Sequence, residues 1–233
     1  MREIVLDTET TGLDPLNGDR IVEIGCVELL NHIQTGRVFH TYLDPECAMS
    51  FAASEISGIT DEMLSGKPKF ADIAADLLAF LAEDPLVIHN AGFDLSFLNA
   101  ELGRAGRGGV SAARAIDTLM IARRKFPGAP ASLDALCKRF NIDLAERVKH
   151  GALLDARLLA EVYLELIGGR QQALLFQGAA EAAEILIDAQ IAARVRPAPL
   201  TPRLSEAEIA AHAAFIVAEL GSEPVWQRFS LAA

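Results

Sequence analysis

The segment "VLDTETTG" sets Asp7 and Glu9 two residues apart at the end of an apolar run. Side chains at i and i+2 of an extended chain project from the same face, so these two carboxylates converge without tertiary help. A second acid, Asp94, follows in "LVIHNAGFD", just after His89 and Asn90. A third site, "KHGALLDA", holds His150 and Asp155. Five helical residues turn through roughly 500°, which would leave those two side chains about 140° apart. His150 is therefore expected in the loop before a helix, with Asp155 on its first or second turn. Each acid also has a plainer reading by itself: a solvated turn with Thr10, Thr11 and Gly12 for the first pair, a cap or dipole partner for Asp94, and a solvated helical acid for Asp155. Leu153, Leu154, Leu158 and Leu159 surround Asp155 in sequence, however, and an acid at the edge of an apolar face needs a partner.

Four carboxylates from three segments, with a histidine nearby, form the oxygen-rich set that two hard divalent cations, Mg²⁺ or Mn²⁺, require. Two such ions can activate a water and stabilise the leaving oxygen during attack on a phosphodiester. His150, whose unperturbed pKa lies close to working pH, is the candidate general base. Zinc fits less well, because no cysteine and only one histidine joins the set.

These residues need a scaffold. Glu3–Asp7, Arg20–Leu30 and Arg37–Leu43 read as strands close in sequence, which suggests an antiparallel meander. Apolar spacing predicts a helix over Phe70–Leu81, followed by the buried strand Leu86–Ile88, a crossover pattern. A helix over Phe93–Leu102, a strand over Ala113–Asp117 and helices over Thr118–Phe126, Ser132–Phe140 and Gly151–Ile167 complete the domain, with Gly168-Gly169 as its stop. The fold class is α/β, a mixed sheet flanked by helices. Three chain regions are expected: 1–170 as the catalytic domain, 171–203 as a motif and linker, and 204–233 as a C-terminal segment.

Composition narrows the function. The 233 residues include 21 Lys or Arg and 32 Asp or Glu, a net charge of −11, so the chain has no basic coat with which to grip nucleic acid by itself. No apolar run of about 18 residues and no signal-peptide core is present, which points to a cytoplasmic protein without a membrane partner. The three cysteines, Cys26, Cys47 and Cys137, are too scattered for a disulfide framework, and at least two read as core fillers.

"LDTETTG", "IHNAGFDLSFL" and "HGALLDA", in that order, resemble the three motifs of the four-acidic-residue 3′–5′ exonuclease superfamily, in its histidine branch. The likeness to that branch's proofreading members extends through "DEMLSGKPKFADIA", "SLDALCKRFNID" and "LLAEVYLELIGG", so it covers almost all of residues 1–170. The resemblance implies a ribonuclease-H-like fold and metal-dependent release of 5′-mononucleotides from a DNA 3′ end. It assigns Asp7, Glu9 and Asp155 to the metal that carries the attacking water, with Asp7 bridging to a second metal. Asp94 would support that second metal and His150 would be the base. Asp7, Glu9 and Asp155 would also touch substrate. His89 and Asn90 match the family's pair beside the site, where a strand-end hydrogen-bond bracket is an equal rival. A loop from about Ala52 to Thr60 would contact the terminal nucleotide, but Ser57 stands where close relatives carry His; Ser57 could donate a hydrogen bond yet not stack. Phe93 and Phe97, at helical spacing beside a core strand, read as packing rather than as a base-stacking surface.

The tail carries two further signals. "RQQALLF" resembles a sliding-clamp-binding peptide through Gln171, Gln172, Leu174, Leu175 and Phe176. "SEAE" at Ser205–Glu208 is a capping box that opens a helix with Ile209, Ala213, Ile216 and Leu220 on one face. By resemblance that segment, with Trp226 as an extra anchor, binds the catalytic (alpha) subunit of the polymerase, and Pro197–Pro202 is the spacer. A small theta-type subunit is a further expected partner. Two other readings stay open on sequence: a free-standing 3′–5′ exoribonuclease, and a connector between polymerase and clamp in which catalysis is secondary.

Overall fold

The computed structural model describes residues 1–145, 147, 149–169 and 205–220. The chain divides into two units, Met1–Leu175 and Phe176–Ala233.

In the first unit, β1 (Arg2–Thr10), β2 (Ile21–Leu30) and β3 (Ile33–Tyr42) form the antiparallel meander, while β4 (Leu86–Ile88) and β5 (Ala115–Asp117) add parallel strands on the other side of β1. The order is β3-β2-β1-β4-β5, the mixed sheet implied by the spacing of the apolar runs. Asn31 and His32, with φ of 51° and 66°, make the two-residue turn between β2 and β3. Positive φ at both central positions matches the twist of paired strands. Helices α1 (Phe51–Ser57), α2 (Asp61–Leu64) and α3 (Phe70–Leu81) precede β4, and α4 (Ala91–Arg104) leads from β4 to β5. Helices α5 (Thr118–Lys125), α6 (Leu133–Phe140) and α7 (Ala152–Leu166) follow.

Alternation along β1 divides its residues between two cores. Ile4 and Leu6 pack with Phe70, Leu77, Phe97 and Leu98 from α3 and α4. Val5 packs with Val27 and Val87 against α5, α6 and α7, through residues such as Leu136, Leu159 and Val162. Glu3, Asp7 and Glu9 share the parity of Val5, so the strand period alone sends all three carboxylates toward the α7 face. Fully burying a Leu, Ile, Val or Phe side chain contributes about 1.5–3 kcal/mol, so these two layers make the sheet a firm support for them.

Some boundaries differ from the sequence reading. β1 continues to Thr10, which puts Asp7 and Glu9 inside a strand paired with β2, yet the recorded pairing of β1 with β4 reaches only Val5 and Val87. The acids therefore lie where β1 has run past its parallel neighbour. The region expected as a loop from Ala52 to Thr60 is mostly helix: Ser50 caps α1 by accepting the Ala53 N–H, and Gly58, at φ 75°, ends it. Helix α4 starts at Ala91, before the expected Phe93, because the Asp117 carboxylate accepts the N–H groups of Asn90 and Ala91 at 3.2 Å each. Cys26 and Cys137 are buried fillers and Cys47 is exposed.

In the second unit the described part is α8 (Glu206–Leu220). It opens with the capping box: Ser205 Oγ accepts the Glu208 N–H, and the Glu208 carboxylate accepts the Ser205 N–H at 2.8 Å. Among the described residues no helix is long and apolar enough to cross a membrane.

Candidate active site

The site forms where the first turn of α7 meets the acid-bearing stretch of β1. Asp7 pairs across the sheet with Gly25, and a Cβ on Gly25 would collide with the backbone of Ala152 and Leu153. Glycine at this strand position thus lets the helix start rest directly on β2. Glu23, opposite Glu9 on β2 and buried, fixes the approach: its Oε2 accepts the Ala152 N–H at 3.1 Å, and its Oε1 lies 2.7 Å from His40 Nε2. With α7 so anchored, Asp155 in its first turn and His150 in the loop just before it come to the acids of β1, the arrangement the helical rotation argument anticipates.

Ligand atoms of Glu9, His150 and Asp155 all lie within 4.8 Å of one another. His150 Nδ1 is 3.4 Å from Asp155 Oδ2. Burial pushes the Asp7 carboxyl well above the usual carboxylate range, and the nearby Asp94, Asp155 and Glu9 push it further. Burial likewise lifts Glu9 to about 7, with His150 opposing and Asp155 adding to the rise. Asp155 behaves differently: burial raises it, but hydrogen bonds from Arg147 and His150 outweigh that and hold it below its ordinary value. His150 is raised, chiefly by Asp155.

Asp94 lies in the first turn of α4, but it is a buried partner of β1 rather than a solvated cap. Its Oδ1 accepts the Thr8 hydroxyl at 2.7 Å and the Thr8 N–H at 3.1 Å. Burial still outweighs those bonds and brings Asp94 to about 7. His89 Nδ1 is 2.9 Å from the Thr118 hydroxyl, and its ring lines the cleft that contains Asp7 and Asp155. Asn90 occupies the left-handed region (φ 67°) at the α4 start and donates its N–H to Asp117. Both residues bracket the strand end, and His89 also lines the cleft.

Two other residues expected to contact substrate lie on α1. Ser57 is buried, donates its hydroxyl to the Ala53 carbonyl at 2.9 Å and accepts the Ile59 N–H at 3.2 Å. Its one hydroxyl hydrogen serves the end of α1. Ala52 is exposed in the first turn of α1. That helix is tied to the site loop, since the His150 N–H donates to the Ile56 carbonyl at 3.2 Å. Gln171, Gln172, Leu174, Leu175, Phe176 and Trp226 lie outside the described residues.

Sequence reading missed Arg147. Its Nε and Nη2 contact the two Asp155 oxygens at 2.5 and 2.7 Å, and it also pairs with Asp134. Only its position near the other motif residues could have signalled it. The missed Thr8, Glu23 and Gly25 had better signals: a hydroxyl between two acids, a charge inside an apolar strand, and a glycine inside a strand pattern.

The donor set fits divalent cations. Asp7 receives no side-chain hydrogen bond among the described residues, and three other acids surround it, an arrangement stabilised by a proton or a positive ion. Carboxylate oxygens plus one imidazole are hard ligands suited to Mg²⁺ or Mn²⁺. Arg147 already supplies one positive charge to Asp155, so a cation there shares that carboxylate with the guanidinium or displaces it.

A mixed sheet with acids converging at the edge of its central strand, beside a loop histidine, defines a nuclease-like class of site. The chain belongs to the exonuclease family, whose model matches residues 4–163. Among similar proteins is the DNA polymerase III subunit epsilon of Rickettsia felis, 48% identical over 219 residues, 93% of this chain and 96% of that one. The Escherichia coli protein of the same name is 40% identical over 237 residues, 97% of each chain. Among solved structures, exonuclease X in complex with 5′ overhanging duplex DNA is 27% identical with a TM-score of 0.57, over 71% of this chain and 90% of that one. The fold is the ribonuclease-H-like fold of these exonucleases.

Proposed function

We infer that this chain is a proofreading 3′–5′ exonuclease subunit of DNA polymerase III, removing mispaired nucleotides from DNA 3′ ends as 5′-mononucleotides. Asp7, Glu9, Asp94 and Asp155 hold two divalent cations, Mg²⁺ or Mn²⁺, and His150 is the general base. The reading is carried by the convergence of Glu9, His150 and Asp155 within 4.8 Å, in a chain whose relatives bear the epsilon name along most of its length.

When bound, the cations supply an activated water and charge neutralisation at the phosphate. His150 takes the water's proton at a ring nitrogen, and its side chain, 46% exposed, can release that proton to solvent. Asp155 orients the imidazole and stabilises its protonated form. Thr8 holds Asp94 by two hydrogen bonds, so the strand that carries Asp7 also fixes the acid on α4. Selection of a mismatch comes from fraying: unpairing a terminal base costs a few kcal/mol, and least when the base is already mispaired. Phe97 is fully buried and Phe93 packs against it with the rings tilted and 4.9 Å between centroids, which supports packing as their role.

The test is digestion of a 5′-labelled primer with a 3′ mispair. Wild-type protein with Mg²⁺ should shorten it one nucleotide at a time, faster than a paired end, and Asp7→Ala protein should not. Undiminished digestion by Asp7→Ala would overturn the mechanism.

The tail is assigned to partners: Gln171–Phe176 to the sliding clamp and 204–233 to the polymerase catalytic subunit. Supporting this, Ile209 on the expected apolar face of α8 is more than half exposed, as are Phe215 and Val217 elsewhere on the helix, and exposed apolar side chains of a helix gain stability by packing on another protein. A theta-type subunit joins where the organism has one. Deleting residues 171–233 should abolish co-elution with the polymerase and leave digestion of single strands in place; retained co-elution refutes the assignment.

A further inference from the structure

The cleft beside the acids continues beyond them. It encloses 530 Å³, within the usual range of ligand pockets, and runs from Asp7 and Asp155 past His89 to Arg123 on α5 and Ser132 before α6. A substrate whose scissile phosphate sits on the acids has the rest of its strand to place, and this cleft is contiguous with them.

Two guanidiniums line the cleft. That of Arg147 is committed to Asp155 and Asp134. That of Arg123 is exposed and has no carboxylate partner among the described residues. Its charge reaches His89 on the same wall, where it adds to burial in keeping the imidazole neutral. The neighbouring bases of the last α5 turn are placed otherwise. Lys125 donates to the Glu165 and Leu166 carbonyls at 3.1 and 2.9 Å, and Arg124 lies about 100° around the helix from Arg123. In a chain of net charge −11, an uncommitted guanidinium beside the acids offers fork-like recognition of a phosphate.

We propose that Arg123 is a substrate-binding residue that grips a backbone phosphate on the 5′ side of the scissile bond, so that the cleft from the acids to α5 is the path of the single strand. This rests on the exonuclease reading above. Because the contact is to a phosphate, it acts on every sequence alike and strengthens binding of any substrate that carries a backbone phosphate beyond the scissile one.

The experiment compares wild type, Arg123→Gln and Arg123→Lys on two substrates: a single-stranded decanucleotide, and the p-nitrophenyl ester of thymidine 5′-monophosphate, which has the reacting phosphodiester but no further phosphate. Arg123→Gln should raise KM for the decanucleotide on the order of tenfold more than for the ester, with a smaller change in kcat. The salt dependence of decanucleotide binding should lose about 0.7 from its log–log slope, and Arg123→Lys should recover most of the loss. Equal effects on both substrates, or an unchanged salt slope, overturn the proposal. An Asp7→Ala control that cleaves the ester at the wild-type rate would instead show that the underlying site reading is wrong.

Discussion

Strand β1 and helix α7 meet at two places that hold carboxylates. At one, Glu3 is fully buried, accepts the Tyr163 hydroxyl at 2.8 Å and has its other oxygen 2.7 Å from His32 Nδ1, without a well-aligned hydrogen bond. At the other, Asp7 has no donor among the described residues and faces Asp94, Asp155 and Glu9. The two meetings are in step: four strand residues from Glu3 to Asp7 span about 13 Å, and eight helical residues from Asp155 to Tyr163 about 12 Å. Strand, face and helix are shared, so only the neighbours differ. An acid among donors is a structural anchor, whereas an acid among acids is stable only with a proton or a cation. The first end holds the helix to the sheet, and the second leaves a demand for positive charge where chemistry is needed.

The sharpest way to break this contrast is to neutralise each acid in turn. Asp7→Asn should lower exonuclease activity by more than about a hundredfold, the most that changes outside a metal's own ligands usually cost. The same change should raise the melting temperature of the metal-free protein by about 2–4 °C, because it removes repulsion. Glu3→Gln should do the reverse, costing about 1–3 kcal/mol of stability while leaving activity within about twofold. Steady-state rates and thermal melts on the two variants check the crossed pattern.

A smaller effect is expected from pH. Asp7, Glu9 and Asp94 have folded-state pKa values above their ordinary ones, with Glu9 and Asp94 at about 7. Between about pH 4 and 7 the folded chain therefore binds more protons than the unfolded chain, and stability falls as pH rises through that window. Asp155, shifted downward, contributes with the opposite sign below that window. Protein treated with EDTA should melt about 5 °C higher at pH 5.5 than at pH 8. Added Mn²⁺ should narrow that gap by replacing protons at the acids; a gap that ignores Mn²⁺ would separate these acids from metal binding.

The parts legible in the sequence were those encoded by local period. The i, i+2 spacing put Asp7 and Glu9 on one face, the helical turn separated His150 from Asp155, and the apolar runs marked the meander, the crossovers and α7. Part of what escaped depends on approaches between distant segments. Glu23 meets Ala152 across 129 positions, whereas Arg147, eight residues before Asp155, sits in a stretch with no helical or strand period to mark it. The glycine inside β2 hinted at that docking without naming the partner. The resemblance implied a loop from about Ala52 to Thr60, and the sequence did not reveal its helix because the Ser50 cap and Gly58 stop enclose a stretch too short to show a helical period. The inward hydroxyl of Ser57 was hidden for the same reason.

The most direct test of the central claim is calorimetric titration of the metal-free protein with Mn²⁺ at pH 8. Wild type and Glu3→Gln should each bind two ions, and Asp7→Asn should lose at least one of them. Equal stoichiometry and affinity in Asp7→Asn and wild type would contradict the assignment of the acid-crowded end as the cation site.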